Sequence, residues 1–470
     1  MSGERDYLAA IRERIVVFDG GMGATLEEFD LTQEDYGGLQ GRCHEALVLN
    51  RPDVIEGVHS SMLDAGAEVV ETDTFQGSRL KLDEWGLADH TVEINRRAAE
   101  IARKAAGPDR FVAGSIGPTG FLPASDDPTL GDISFRRLVE VFDEQAGALI
   151  EGGADLLIIE TQQDILETQA AIFGAREAFK RLGRSVPIQA SLFILRESGT
   201  MLLGTDVPAL TTTLTALDVD VLGLNCSTGP SDMRDAIRYL GENSPLPLHC
   251  IPNAGIPHQG PEGETIFPEE PEPLAETLGE YVERYGVGVV GGCCGTTPDH
   301  IRALSERVKG LGPHGSDRPS PGPIQVSSMI TATPLVQEPR PTLGGERVNS
   351  QGARKAKELL LADDYDGLLQ VAEDQVNGGA HVLDVCVALT ERQDEDEQMS
   401  ELVKRISLTQ PAPIQVDSTE PDVIEAALEH IPGRAVVNSI NLEAGREKAD
   451  RVIPLAKAHG AALLALTIDE

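Results

Sequence analysis

GVGVVGGCCGTTPDHI (residues 286–301) joins a short, β-rich apolar run to a glycine-rich tip carrying two adjacent cysteines. The same layout recurs upstream. Apolar runs at 15–19, 68–75, 110–117, 155–161, 187–194, 219–226, 247–254 and 286–294 predict eight strands. Stretches with helical periodicity separate them, among them 53–65, 91–106, 135–152 and 273–285. Eight strand–helix units in about 300 residues match a closed (β/α)8 TIM barrel, whereas an open doubly wound sheet has about five to seven strands. Most runs end in polar or Gly-rich tips: DGGMGAT, ETDTF, GSIGPTG, IIETQQD, LNCSTG, PNAG and GGCCGTT. In a barrel those tips share one face, and active sites form there.

A Pro- and Gly-rich stretch, GLGPHGSDRPSPGP (310–323), reads as an interdomain linker. Beyond it a second β/α series has strands near 343–349, 381–389, 412–418, 434–441 and 461–469. It stops after about five strands, so a second, truncated β/α barrel is expected. The expected organisation is a barrel over 1–310, a linker over 311–340 and a partial barrel over 341–470.

The 470 residues include 77 acidic and 39 basic side chains, a formal charge of −38. Such a field repels phosphate backbones and anionic membrane surfaces, so neither nucleic acid nor membrane is an expected partner. Only nine of the basic residues are Lys, which suits either a salt-rich cytoplasm or an Arg-rich genome. The N-terminus lacks the apolar core of a signal peptide, and no run of about 20 apolar residues occurs. Six Cys in this length do not make a disulfide framework, so a reducing, cytoplasmic setting is expected.

Cys226 ends one strand, and Cys293 and Cys294 end another two places away in a barrel. Adjacent residues on a strand face opposite ways, but the flanking Gly291, Gly292 and Gly295 let both thiols aim at one point. Three thiolates on one zinc ion (Zn2+) leave a tetrahedral position open, as in catalytic sites. Buried apolar Cys is the plain alternative, yet a packed core gains nothing from GGCCG. A disulfide between neighbours would be strained. Cys250, on the intervening strand, is expected to face the core.

An open site with three thiolates carries a net negative charge and is a poor centre for hydrolysis. It suits binding an external thiol and holding it as a thiolate for alkyl transfer. Glu71 and Glu160 are candidates for an ammonium group, and backbone N–H groups around Gly21, Met22 and Gly23 for a carboxylate. An amino acid with a thiol side chain fits both ends.

The motifs DGGMGATL (19–26), ETDTF (71–75), GSIGPTG (114–120), GLNCSTGP (223–230), PNAG (252–255) and GGCCGTTPDHI (291–301) resemble the homocysteine S-methyltransferase family. The form they resemble is the one that opens cobalamin-dependent methionine synthases. The resemblance implies zinc on Cys226, Cys293 and Cys294, with Asp19, Glu160 and Asn253 around homocysteine. That family usually has Asn where this chain has Asp73. GERVNSQG (345–352), HVLDVCV (381–387), QVDS (415–418) and VVNSIN (436–441) resemble the family's pterin-binding barrel. Here the resemblance implies Glu346, Asn349, Asp384, Asp417 and Asn438 as contacts for a folate. A different reading makes Asp384 and Asp417 caps of the helices that follow. Cys386 replaces the family's usual Asn.

The expected function is zinc-dependent methyl transfer to the thiol of L-homocysteine. The donor is methylcobalamin recharged from 5-methyltetrahydrofolate, supplied by a cobalamin-binding module outside this sequence. One rival keeps the first barrel but uses a sulfonium or betaine donor; another is a non-catalytic zinc- or thiol-binding protein. The histidines show no ligand spacing, and His44 and His258 near the tips read as surface residues.

Overall fold

The computed structural model describes residues 6–39, 43–260, 265–313, 318–443 and 445–468. Its first sheet holds eight parallel strands: β1 (Val16–Val17), β2 (Val69–Glu71), β3 (Phe111–Ile116), β4 (Leu156–Gln162), β5 (Ile188–Leu192), β6 (Val221–Cys226), β7 (Leu248–Pro252) and β10 (Val287–Val290). The order runs β1-β10-β7-β6-β5-β4-β3-β2, and a parallel bridge from Phe18 to Val69 joins the two ends. This is the (β/α)8 barrel. A hairpin, β8 (His258–Gln259) with β9 (Thr265–Ile266), interrupts the series between β7 and β10.

Several strands are shorter than their apolar runs because the polar tips leave the ladder. After Glu71, for example, the Thr72 and Thr74 hydroxyls bond each other at 2.6 Å, and Thr74 also reaches the Ser115 carbonyl. Side chains that satisfy backbone locally compete with strand pairing. The barrel interior is apolar, with Phe18, Val69, Phe111, Ile158, Val221 and Val289 packed together. The N-terminal helix Tyr7–Glu13 closes one end, where the buried Tyr7 hydroxyl donates to Gln189 at 2.7 Å. Cys250 is fully buried beside Met233, as its position on β7 suggests.

Within the expected linker, β11 (Gln325–Ser327) pairs antiparallel with β12 (Ala332–Pro334). A second sheet follows, with five parallel strands in chain order: β13 (Gly344–Asn349), β14 (Val382–Cys386), β15 (Ile414–Asp417), β16 (Val436–Ile440) and β17 (Ala462–Ala465). Specific contacts join it to the barrel. Gln169 accepts from the Gly433 N–H at 3.1 Å, and His459 lies against the rings of Phe135 and Phe173. Arg136 pairs with Glu425 and Glu429. Among the described residues no helix is long and apolar enough to cross a membrane.

Candidate functional site

The ends of β6 and β10 bring three thiols together. Cys226 Sγ lies 3.9 Å from Cys294 Sγ, which is 4.0 Å from Cys293 Sγ, and all three fall within 4.8 Å of one another. Two backbone devices make this possible. Cys226 and Ser227 adopt left-handed conformations, with φ of 58° and 54°, unusual for residues with side chains. Such strain, of order 1–3 kcal/mol each, persists where surrounding structure enforces it. Gly295, at φ +77°, leaves no room for a side chain, since a Cβ there would sit 2.1 Å from the Phe267 ring.

The thiols are held from behind. Asn253 Oδ1 accepts the Cys294 N–H at 3.1 Å, and the Cys293 N–H donates to the Pro252 carbonyl at 2.8 Å. Asn225 is the hub. Its Oδ1 takes the Thr161 N–H and the Ser191 hydroxyl, while its Nδ2 reaches Glu160 at 2.9 Å and faces Cys293 Sγ at 3.9 Å. Hydrogen bonds from Cys293 and Cys294 pull the Cys226 thiol down in pKa, and the same bonds to Cys226 push theirs up. Tetrahedral zinc with Zn–S bonds of about 2.3 Å spaces its sulfurs about 3.8 Å apart, so the sulfur triangle fits that ion.

The thiols open onto a cavity of about 460 Å³ at the strand ends. Asp19, Met22, Gly23, Glu71 and Glu160 line it, as do His44, Glu45, Asp73, Ser115 and Thr161. Asn253 is not on that wall but behind the cysteines. Asp19 accepts the Glu71 N–H at 2.9 Å, and Glu160 accepts from the Ser115 hydroxyl. Burial raises the pKa of Asp19, Glu71 and Glu160, and mutual repulsion adds to it for Asp19 and Glu71. Gly21 does not offer its N–H to the cavity, because that group donates to the Thr296 carbonyl at 3.0 Å. The amides of Met22, Gly23 and Ala24 open the next helical turn, Met22–Leu26, where backbone donors lack helical partners.

On the second sheet, Asn349, Asp384, Asp417 and Asn438 form one network. Asn349 Nδ2 donates to Asp384 at 2.8 Å and to Asp417 at 2.9 Å, and Asn438 Nδ2 reaches Asp384 at 3.2 Å. Gln415, the first residue of QVDS but not among the expected folate contacts, donates to Asp384 at 2.6 Å. Asp384 and Asp417 therefore serve this network, not helix caps. Glu346 is exposed and outside these hydrogen bonds, and Cys386 is buried beside Ser350.

Sequence reasoning missed Asn225, Ser115, Thr161 and Glu45, and took His44 for a surface residue. Asn225 stood in plain view beside Cys226 in LNCSTG. Glu45 and His44 lie on a short helix after β1 that no periodic pattern marks.

The sequence profile of the homocysteine S-methyltransferase family matches residues 16–308. The chain belongs to the homocysteine S-methyltransferase family. As a member of that family it is a methyltransferase. The profile of the pterin binding enzyme family matches residues 345–470. The chain is 40% identical over 480 residues to a methionine synthase of Mycobacterium leprae (strain TN), covering 99% of this chain and 39% of the relative. It is 39% identical over 476 residues to one of Mycobacterium tuberculosis (strain ATCC 25618 / H37Rv), with the same coverage. The chain thus spans about two fifths of the length of the curated relatives it matches. Among solved structures, the oxidized form of the homocysteine methyltransferase MmuM from Escherichia coli superposes with a TM-score of 0.51 at 27% identity. That match covers 64% of this chain and 100% of MmuM. The metallated form gives 0.50 at 28% identity, covering 62% and 96%.

Proposed function

We propose that this methyltransferase holds zinc on Cys226, Cys293 and Cys294 and methylates the sulfur of L-homocysteine to give L-methionine. The observation that carries this reading is the convergence of three thiols on the wall of an acid-lined cavity. A zinc ion held by those sulfurs supplies the Lewis acidity that lowers the pKa of an incoming thiol. The chain's own residues do the rest. Asp19, Glu71 and Glu160 receive the substrate's ammonium group, which relieves the repulsion that raises their pKa values. Amides at Met22, Gly23 and Ala24 receive its carboxylate. Asn225 and Asn253 keep the sulfurs in place. As the substrate sulfur bonds the methyl carbon, the bond from that carbon to its donor breaks and the donor keeps the electron pair.

The donor in this reading is methylcobalamin, brought by a cobalamin-binding module outside this sequence and recharged from 5-methyltetrahydrofolate. Asn349, Asp384, Asp417 and Asn438 present the mix of donors and acceptors that a pterin edge requires. Six free thiols suit a reducing cytoplasm.

The test offers zinc-loaded protein and L-homocysteine three donors in parallel: methylcobalamin, S-methylmethionine and betaine. Methionine formed from methylcobalamin supports the reading. Turnover with the sulfonium or betaine alone would replace the donor, and no methionine from any donor would leave a thiol-binding protein.

A further inference from the structure

One carboxyl in the cavity lacks a partner. Asp73 is 6% exposed, and its Oδ2 is buried with no hydrogen bond. Its neighbour Glu45, 4% exposed, is well served: Oε1 accepts the Gln76 N–H at 2.7 Å and Oε2 accepts the Cys43 thiol at 3.4 Å. Donors favour the ionised form of a carboxyl, and a carboxyl buried without one favours the proton, so Asp73 is the acid here that keeps its O–H. Burial first, and repulsion from Glu45 second, push the Asp73 pKa well above the carboxylate range. Glu71 stands two residues before Asp73 on the same strand end.

A protonated carboxyl is an O–H donor, and a buried donor without an acceptor is costly. The cavity supplies the complementary need. Among the described residues that line it there is no Lys or Arg, and those among them that could donate to a carboxylate are neutral groups and His44. Those donors lie together. A Cβ on Gly23 would stand 3.1 Å from His44 Cε1, which puts the Met22–Leu26 turn against the segment carrying Glu45.

We propose that Asp73, as a neutral acid, donates its O–H to the α-carboxylate of the substrate and so selects amino-acid thiols over simple thiols. This rests on the homocysteine reading, and the experiment separates the two. Calorimetry on the zinc-loaded full chain compares L-homocysteine with 3-mercaptopropylamine, which keeps the thiol and amine but lacks the carboxylate. Asp73→Ala should weaken homocysteine binding about 10-fold and leave the amine within about 2-fold, as expected for loss of one charge-assisted hydrogen bond. Asp73→Asn, which still donates, should stay within about 3-fold of the wild type for both. Should Asp73→Ala fail to fold, Asp73→Leu, which keeps the branching at Cγ without a polar atom, is read in its place. Equal losses for the two ligands, or no loss, would overturn the assignment. So would an Asp73→Asn variant as weak as Asp73→Ala, because Asn still donates a hydrogen bond. A wild type that binds the amine but not homocysteine also overturns it, whereas one that binds neither removes the amino-acid reading itself.

Discussion

Cys226 and Cys294 hold their Sγ atoms 3.9 Å apart although 68 residues separate them in sequence. Their strands, β6 and β10, flank β7, so both thiols rise from one sector of the barrel mouth. The backbone around Cys226 is strained and that around Cys294 is glycine-rich. A fold that held these cysteines only as core filler would not need either device.

Purified protein should carry about one zinc per chain, the stoichiometry of a three-thiolate site. Cys226→Ser, Cys293→Ser and Cys294→Ser should each lower zinc content sharply, measured by elemental analysis after dialysis against a weak chelator. Full occupancy in the triple variant would remove the site.

Asn253 supports the thiols from behind. It accepts the Cys294 N–H and donates toward Cys226, so it touches two of the three sulfur-bearing residues without lining the cavity. Outer partners of this kind change metal affinity by about 10- to 100-fold. Asn253→Ala should weaken zinc binding in that range in a competition titration, with thermal stability nearly unchanged. Unaltered affinity would make Asn253 a spectator.

How much of this could be read from the chain follows from what kind of signal each feature leaves. The eight strands were legible because apolar β-rich runs repeat, but their ends were overextended where Thr72 and Thr74 turn their hydroxyls to backbone. GGCCG announced the thiol cluster because glycines around paired cysteines free the backbone to aim both thiols at one point. Asn225 left no such mark, since a single Asn at a strand end gains its meaning from Thr161, Ser191 and Glu160, which are 34 to 65 residues away. Strand β11 was hidden in a Pro-rich stretch. Its place is set by tertiary bonds, Ser327 to the Arg434 carbonyl and to Thr213.

Acid should destabilise the protein through three buried histidines. His59, His249 and His459 have ring nitrogens without partners, and burial lowers their pKa values to about 4, 3 and 3. Arg136 adds to the effect at His459. The unfolded chain takes up these protons below about pH 6.5 while the folded chain does not, so stability is complete above that pH and falls below it. Each group contributes a slope of about 1.4 kcal/mol per pH unit down to its folded value. His59→Leu should remove one such slope from urea unfolding measured between pH 6 and pH 4.5. An unchanged slope would show that His59 ionises in the folded state.

Glu167 should act in the opposite direction. Its Oε1 accepts the Thr119 N–H at 2.8 Å and the Thr119 hydroxyl, while Oε2 is buried without a partner. Burial raises its pKa to about 8, Thr119 opposes the rise, and Asp164 adds to it. A carboxyl raised in the folded state gives stability that is complete below the ordinary value near 4.5 and is lost as pH climbs to about 8. Wild-type stability should therefore carry a downward component of about 1.4 kcal/mol per pH unit across that window. Glu167→Gln keeps an acceptor for Thr119 and cannot ionise, so it should lack that component and gain on the wild type as pH rises from 6.5 to 8. The measurement is the difference in urea midpoints of the two proteins at several pH values, which cancels the histidine contribution they share. A difference that stays constant with pH would mean that Glu167 is already ionised in the fold, with its charge reaching solvent or a donor through Oε2.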